Sequence, residues 1–240
     1  MAGFEPAGVQ ALAFDVFGTV VDWRGSIIAE GARWNRDKGL AVDWAALADV
    51  WRAAYQPAMA AVREGRRPWV NLDALHRENL DRLLARFGLE GLSGDERDRL
   101  NRIWHRLDPW PDSVEGLNRL KRRYVLATLS NGNVALLVNM AKRAGLLWDA
   151  ILGAEVARAY KPLPRAYLTT VELLGLRPDQ VMLVAAHNGD LRAAAACGLK
   201  TAFVPRPREY GPAQTQDVAA DGPWDVVAGD FLDLAGKLGA

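Results

Sequence analysis

The chain has 240 residues; half of them are hydrophobic, a quarter are charged, and the formal net charge is +1. This length suffices for one large domain or for a domain with a sizeable insertion. The composition is typical of a soluble globular protein. The near-neutral charge gives no electrostatic reason to expect a nucleic acid or an anionic membrane as a partner.

Targeting segments and disulfides are not apparent in the sequence. No apolar run approaches the roughly 20 residues of a membrane helix, and residues 1–6 lack a basic segment followed by an apolar one. Cys197 is the single cysteine, so no intrachain disulfide can form, and its small neighbours are typical of a packed core. These features predict a soluble, cytoplasmic protein.

The first strand is predicted over residues 10–15, where a short apolar run ends at a carboxylate. From residue 25 to 108, apolar residues recur at three-to-four spacing with charges between them, which is helical periodicity, and no strand-like run occurs there. The helices predicted in this segment are Ser26–Lys38, Asp43–Arg63, Asn71–Phe87 and Ser93–Leu107.

Strands and short helices alternate after residue 111. Such alternation indicates a parallel sheet covered by helices on both faces. We therefore predict an α/β fold, a doubly wound parallel sheet with a helical cap inserted after the first strand. The core domain is predicted over 1–22 and 109–240 and the cap domain over 23–108, with residues 205–222 forming an irregular surface loop.

Polar side chains follow the predicted strand ends or the helix starts beside them. The carboxyl ends of parallel strands meet at one edge of a sheet, and ligands bind in the crevice outside them. A helical block inserted after the first strand would cover this edge and create a cavity. The polar residues brought there are Asp15 with Thr19, Ser130 with Asn131, Lys161 with Tyr167, and His187 with Asp190.

Together these motifs resemble the haloacid dehalogenase superfamily from about residue 10 to 205. The resemblance implies a Rossmann-like core with a helical cap. Within the superfamily, the chain is similar to the (S)-2-haloacid dehalogenases. This similarity rests on four sequence motifs: Asp15-Val16-Phe17-Gly18-Thr19, the pair Trp51-Arg52, Leu129-Ser130-Asn131-Gly132, and Lys161 followed six residues later by Tyr167.

Most members of the superfamily are magnesium-dependent phosphatases, which resemble one another in a second Asp two residues after the nucleophile. Phe17 stands at that position here and cannot protonate an alkoxide. Phosphatases also tend to carry paired carboxylates in the fourth motif for Mg²⁺, which prefers oxygen ligands, whereas this motif offers only Asp190. A halide leaving group needs neither proton nor metal, so we expect carbon–halogen hydrolysis without a metal or other cofactor.

The resemblance implies a role for each site residue in the first half-reaction. Asp15 would attack C2 of a 2-haloalkanoate, displace the halide with inversion and form an aspartyl ester. Lys161 would keep Asp15 ionised and pair with the substrate carboxylate. Arg52, with Asn131 beside it, would accept the halide, because a guanidinium is weakly hydrated and offers several donors. Phe17 would belong to an apolar pocket wall, with candidate partners Trp23, Trp44, Trp51 and Trp69.

The remaining residues would orient groups or serve the second half-reaction. Ser130 and Thr19 would orient carboxylates through their hydroxyls. Water must then attack the ester, with His187 or Asp190 as the base, or with His187 as a hydrogen-bond donor. Tyr167 would donate a hydrogen bond, with plain packing as the alternative. This chain departs from well-known members at His187, where those carry Asn.

Two other functions remain open at this point, and both use the same crevice. One is a magnesium-dependent phosphatase that lost its usual acid, and the other is a non-catalytic protein that binds a carboxylate. The expected partner is a small-molecule haloacid, and the resemblance also implies a homodimer. His76 and His105 lie on predicted cap helices without an apparent acidic partner, and both are interpreted as structural or surface residues.

Overall fold

A six-stranded, all-parallel sheet forms the centre of the computed structural model, which describes residues 8–240. Residues 1–7, which the predicted core domain includes and on which no targeting segment was expected, lie outside the described residues. The sheet order is β5-β4-β1-β6-β7-β8. In chain order the strands are β1 (Ala11–Phe14), β2 (Val21–Asp22), β3 (Asp108–Pro109), β4 (Val125–Ser130), β5 (Ala150–Gly153), β6 (Val181–Ala185), β7 (Lys200–Phe203) and β8 (Val226–Val227).

Strand β1 lies in the middle of the sheet and is fully buried. Leu12 and Phe14 point into an apolar cluster that continues into the helices of residues 23–106, while Ala11 and Ala13 point into a second cluster on the other face. Burial on both faces is why the strand is a continuous apolar run rather than an alternating one. The strand directs the residue after Phe14 to the carboxyl edge of the sheet.

Helices cover both faces of the sheet and fill the segment between β2 and β3. The predicted alternating α/β fold is confirmed. The helices are α1 (Trp23–Lys38), α2 (Trp44–Ala53), α3 (Tyr55–Arg63), α4 (Leu72–Leu83), α5 (Gly94–Asn101), α6 (Ser113–Leu120), α7 (Val134–Ala144), α8 (Ala154–Ala157), α9 (Pro164–Leu173), α10 (Asn188–Ala196) and α11 (Phe231–Lys237).

Three of the four helices predicted between residues 25 and 108 are shorter than expected. The segment Asp43–Arg63 is two helices that meet at Ala54, because Pro57 has no N–H for the carbonyl of Ala53. The segments Asn71–Phe87 and Ser93–Leu107 each change into a 3₁₀ turn at their C-terminal end. A 3₁₀ turn tightens the last turn of a helix and satisfies backbone groups there.

A small antiparallel pair, β2 with β3, joins the two ends of the helical segment. Val21 pairs with Pro109 and Asp22 with Asp108. Asp108 belongs to the stretch where no strand was expected, and two paired residues are too short to produce an alternating sequence pattern. The boundaries of the predicted cap and core domains stay a prediction. Among residues 8–240, no helix combines the length and apolar character that crossing a membrane requires.

The segment 205–222 is irregular, as predicted, but it is more than a surface loop. Arg206 and Glu209 in it are buried. The guanidinium of Arg206 makes two hydrogen bonds to the carboxylate of Asp112, at 2.7 and 2.8 Å, and a third to the backbone carbonyl of Thr19. At its other end the segment is held by Asn188, which bonds Asp217. The loop is therefore fixed against the carboxyl edge of the sheet.

His105 has an acidic partner that its sequence context does not reveal. Its Nε2 lies 2.9 Å from Oδ1 of Asp73, and its Nδ1 lies 3.0 Å from Nδ2 of Asn139 on α7. Asp73 also accepts a hydrogen bond from Asn133. His105 is buried and links α4 to α7, so of the two interpretations, structural or surface, the structural one describes it.

Candidate active site

Asp15 follows β1 directly, and its carboxylate accepts hydrogen bonds on both oxygens. Lys161 Nζ lies 2.9 Å from Oδ1, while Thr19 Oγ1 donates to Oδ2 at 2.7 Å. His187 Nδ1 also lies 3.1 Å from Oδ2. Burial disfavours the charged carboxyl, but Lys161 and His187 outweigh burial and hold the pKa of Asp15 well below its usual range. Asp15 is therefore an ionised, oriented carboxylate.

Lys161 lies between two carboxylates. Its ammonium nitrogen is 2.9 Å from Asp15 and 2.5 Å from Oδ2 of Asp190, and the lysine is buried. Burial alone would lower the pKa of this ammonium, yet the two carboxylates raise the pKa above its usual value. The backbone N–H of Lys161 donates to the side-chain oxygen of Asn131, which fixes this stretch against the end of β4.

Asp190 is held from the other side by Tyr167. The phenol donates to Oδ1 of Asp190 at 2.6 Å, and burial together with this carboxylate raises the pKa of Tyr167. Tyr167 therefore stays a neutral donor, in line with its predicted hydrogen-bond role rather than plain packing. Asp190 lies in the first turn of α10, where a negative charge is favoured by the helix dipole.

His187 lies between Asp15 and a residue that the sequence did not suggest, Glu209. Its Nε2 is 2.8 Å from Oε2 of Glu209, whose other oxygen accepts a hydrogen bond from Trp23. Burial lowers the tendency of the imidazole to hold a proton, but Glu209 and Asp15 together raise the pKa of His187 well above 6.5. The imidazole is therefore protonated.

The guanidinium of Arg52, which lies near Glu209, has a hydrogen-bond donor without a partner among residues 8–240. Its guanidinium carbon lies 4.4 Å from the ring centroid of Tyr55 and 5.4 Å from that of Trp23. Within residues 8–240 its buried NH1 atom has no hydrogen-bond partner, while NH2 lies 3.8 Å from Glu209. A buried donor without a partner is costly, so this guanidinium is ready to accept an anion.

These side chains surround one cavity of about 490 Å³. Of the predicted site residues, those that line it are Asp15, Phe17, Arg52, Asn131, Lys161, Tyr167, His187 and Asp190. Two predicted residues do not line it in the described part of the chain. Thr19 acts on Asp15 from outside the cavity, and Ser130 is buried, where its hydroxyl oxygen accepts the N–H of Gly132 instead of contacting a carboxylate.

A family model for haloacid dehalogenase-like hydrolases matches residues 9–198. The chain belongs to the haloacid dehalogenase-like hydrolase family.

Individual relatives agree with this family over most of their length. (S)-2-haloacid dehalogenase 1 from Pseudomonas sp. (strain CBS-3) is 31% identical over 209 residues, covering 84% of this chain and 88% of that protein. A solved L-2-haloacid dehalogenase is 50% identical with a TM-score of 0.94, covering 97% of this chain and 99% of that one. A solved defluorinating L-2-haloacid dehalogenase is 53% identical with a TM-score of 0.94, covering 97% and 96%.

The haloacid dehalogenase-like site of this chain does not fit the magnesium ion of the phosphatases. A dication shared by Asp15 and Asp190 would need the space where the Lys161 ammonium lies, and the two positive charges would repel. Within residues 8–240, no group of three or more His, Cys, Asp or Glu side chains is arranged to hold a metal.

The cavity lining includes residues that were not anticipated from the sequence, among them Tyr55, Arg63 and Tyr210. Glu209, which contacts His187 from behind the lining, was not anticipated either. Tyr55 and Arg63 lie on α3, whose rotation about its axis is invisible in the sequence. Glu209 and Tyr210 lie in the 205–222 loop, where Pro and Gly residues surround a charged and an aromatic side chain. A charged and an aromatic residue in a loop just after a strand end could have indicated functional residues here, because loops often carry binding and catalytic side chains.

Among the aromatic candidates for the pocket wall, only some reach the cavities. Phe17 lines the main cavity, and its ring packs edge-on against Trp104 at 5.8 Å. Trp23 lines an adjoining cavity of about 390 Å³. Trp51 is fully buried and donates its indole N–H to the carbonyl of His76. The aromatic cluster behind Phe17 makes that wall of the site apolar.

Proposed function

We propose that the protein hydrolyses short 2-haloalkanoic acids to 2-hydroxy acids, with inversion at C2, through an ester on Asp15. The observation that carries the proposal is the position of Lys161 between Asp15 and Asp190. This arrangement keeps the nucleophile ionised with a fixed side-chain charge and no metal. The 2-haloacid class of substrate comes from the names of the relatives, which share up to 53% of their residues with this chain.

In the first half-reaction, an oxygen of Asp15 attacks C2 from the side opposite the halogen and the carbon–halogen bond breaks. Asp15 thereby becomes an ester, and the halide leaves with the electron pair of the broken bond. The unpartnered NH1 of Arg52 receives this anion, with the amide of Asn131 in the same cavity. Donors that meet charge as it develops lower the barrier of the step.

In the second half-reaction, water attacks the carbonyl carbon of the ester and releases the 2-hydroxy acid. Thr19 holds the carboxyl group of Asp15 in place, and Tyr167 holds Asp190. Phe17 supplies an apolar wall where a phosphatase would have its acid. A halide needs no such acid, because it leaves as a stable anion.

A single-turnover experiment in H₂¹⁸O tests the mechanism. With enzyme in excess over (S)-2-chloropropionate, we expect ¹⁸O in the side chain of Asp15 and unlabelled (R)-lactate, since water attacks the carboxyl carbon of the aspartate. Label in lactate alone would contradict the covalent mechanism. Asp15→Asn should release no chloride. Asp179→Asn, which removes an exposed carboxylate in the 3₁₀ turn before β6, is the matched control.

A substrate panel tests the reaction class. We expect halide release from (S)-2-chloropropionate and chloroacetate, and none from (R)-2-chloropropionate. Fluoroacetate belongs in the panel because one similar solved protein is named as defluorinating. Release of phosphate from p-nitrophenyl phosphate that depends on added Mg²⁺ would contradict the proposal and favour a phosphatase.

The compartment is predicted from general features of the sequence, and the assembly state from the resemblance alone. We propose a cytoplasmic homodimer. Light scattering coupled to size-exclusion chromatography should give a mass of about twice 26.3 kDa for the protein in solution. A mass near that of one chain would contradict the dimer.

A further inference from the structure

The two oxygens of Asp15 have different partners. Within residues 8–240, Oδ1 has Lys161 as its single hydrogen-bond partner, at 2.9 Å, whereas Oδ2 accepts from Thr19 at 2.7 Å and faces His187 Nδ1 at 3.1 Å. An oxygen that accepts two hydrogen bonds from fixed donors is the weaker nucleophile. Oδ1 is therefore the oxygen that bonds to C2, and Oδ2 becomes the carbonyl oxygen of the ester.

His187 cannot act as a base in this setting. Each of its ring nitrogens faces a carboxylate oxygen, of Asp15 on one side and of Glu209 at 2.8 Å on the other. A carboxylate oxygen only accepts hydrogen bonds, so both nitrogens must carry a proton and neither has a free lone pair. After Asp15 becomes an ester, its carbonyl oxygen is still only an acceptor, and the Nδ1–H continues to point at it.

Glu209 is built into the structure as the anchor of this imidazolium. Its side chain is 1% exposed, and Trp23 donates to its Oε1 at 3.0 Å. Gly18 allows the approach, because a Cβ on that residue would lie 2.1 Å from the Glu209 carboxylate. Arg206, three residues earlier, fixes the loop through its paired bonds to Asp112.

We propose that Glu209 is a positioning residue that holds His187 as an imidazolium, so that His187 and Thr19 together stabilise the oxyanion formed on Asp15 Oδ2 during ester hydrolysis. This inference rests on the proposed function. It gives a role to Glu209, which belongs to none of the sequence motifs. It also makes His187 a hydrogen-bond donor rather than a base.

The chemical step balances without further reactants. Water bonds to the carboxyl carbon of Asp15, one of its protons passes to Asp190, and negative charge appears on Oδ2. The bond from this carbon to Oδ1 then breaks, Oδ1 leaves with C2 as the alkoxide of the product, and that alkoxide takes up the proton held by Asp190. The second proton of water is released when the carboxylate of Asp15 re-forms.

Glu209→Gln tests the proposal, because Gln keeps the shape and removes the charge. We expect halide release in the first turnover to remain near the wild-type rate, while kcat falls about 10²-fold, as is typical for loss of one oxyanion donor. Intact-protein mass spectrometry of the quenched reaction should then show the aspartyl ester accumulating. Glu209→Asp should recover part of kcat, and Glu115→Gln, at an exposed site, should change nothing.

The pH profile provides a readout that a merely structural role would not move. In wild type, kcat on the alkaline side should fall as His187 loses its proton, and in Glu209→Gln this decline should move down by about one pH unit or more. Besides Asp15 and Glu209, the charged groups around His187 in the cavity are Arg52, Arg63, Lys161, Asp190 and Asp217, with the phenol of Tyr210. His187→Asn keeps these groups, and it should abolish the decline.

Three outcomes would overturn the inference. One is a Glu209→Gln profile that matches wild type in kcat and pH dependence without ester accumulation. Another is an equal loss of first-turnover halide release and of kcat, which indicates general disruption. The third is a decline of kcat with rising pH that persists in His187→Asn. This variant also tests the proposal if Glu209→Gln does not fold. Absence of halide release by the wild-type enzyme would instead contradict the proposed function itself.

Discussion

The ammonium nitrogen of Lys161 lies 2.9 Å from Oδ1 of Asp15, and the two side chains are only 7% and 10% exposed. A buried ion pair of this kind pays a large desolvation cost, so it is weak evidence for stability. It is better explained by reactivity. In this position the lysine keeps a carboxylate charged within a cavity that also has an apolar wall.

Charges of opposite sign balance across the site. Three anions, Asp15, Asp190 and Glu209, contact three cations, Arg52, Lys161 and the protonated His187. Each carboxylate contacts at least one of these cations, and Asp15 and Glu209 each contact two. Arg52 lines the cavity, and within residues 8–240 its NH1 remains an unpartnered donor.

Replacing Lys161 with Met should reduce halide release by about 10³-fold or more. The side chain keeps its length, but Asp15 and Asp190 then face each other without the ammonium, and burial raises the pKa of Asp15 toward the protonated, unreactive form. Steady-state chloride release from (S)-2-chloropropionate measures the effect. Lys237→Met, which removes a surface ammonium paired with Asp233, should retain wild-type activity. Activity of Lys161→Met within about tenfold of wild type would contradict the role of the lysine.

The sequence was sufficient to predict the sheet and half of the residues that line the cavity. Each long strand of the core is an apolar run that ends in polar residues, and parallel strands must bring those ends together. This geometry predicts that Asp15, Asn131, Lys161 and Asp190 share one crevice, and all four line the cavity. The predicted site therefore followed from strand order and a local motif at each strand end.

Contacts between distant segments could not be predicted in this way. Glu209 reaches His187 because Arg206 binds Asp112, 94 residues away, and no periodicity in the loop encodes that pairing. The local contact of Ser130 could not be predicted for a related reason. A hydroxyl at a strand end can bond its own backbone two residues on, and in the structure Ser130 accepts the N–H of Gly132; its role toward a substrate carboxylate stays a prediction.

Arg52→Lys should lower kcat by about 10²-fold while the fold is preserved. Lysine keeps the positive charge but loses the planar group that lies over Tyr55 and the free NH1 donor. Halide release from chloro- and bromo-substituted 2-haloacids measures the change. Arg99→Lys is the matched control, because Arg99 also lies over an aromatic ring, Trp34 at 5.8 Å, but on the exposed surface. Equal losses in the two variants would argue against a special role for Arg52.

Gly18→Ala should destabilise the protein more than Gly39→Ala. Both glycines have positive φ, +87° and +66°, so alanine at either position carries a backbone penalty of about 1–2 kcal/mol. Only at Gly18 would the new Cβ also meet the carboxylate of Glu209, at 2.1 Å, while nothing lies within 4 Å of Gly39. The difference between the two free energies of unfolding, measured in urea, isolates this contact. Equal values would show that Glu209 moves aside without cost.

His76 is a buried histidine that the proposed reaction does not use. It stacks on Trp104 with ring centroids 4.2 Å apart, and Tyr55 lies 5.8 Å away. Neither ring nitrogen has a hydrogen-bond partner within residues 8–240. Burial, assisted by the charge of Arg52, lowers the pKa of His76 to about 3, so the imidazole is neutral in the folded protein.

His76→Phe should make the protein less sensitive to acid. The unfolded chain binds a proton at His76 below pH 6.5 and the folded chain does not until about pH 3. The wild-type free energy of unfolding therefore falls as pH decreases through this interval, by roughly 1.4 kcal/mol per unit from this residue. Urea unfolding of both proteins gives the free energy of unfolding at each pH between pH 7 and pH 4.5. Plotted against pH, the free energies of the two proteins should converge or cross as the pH falls. Any cost of fitting the larger ring shifts the variant's curve uniformly, and carboxylate titrations common to both proteins cancel in the difference. Parallel curves would mean that His76 takes up its proton without unfolding.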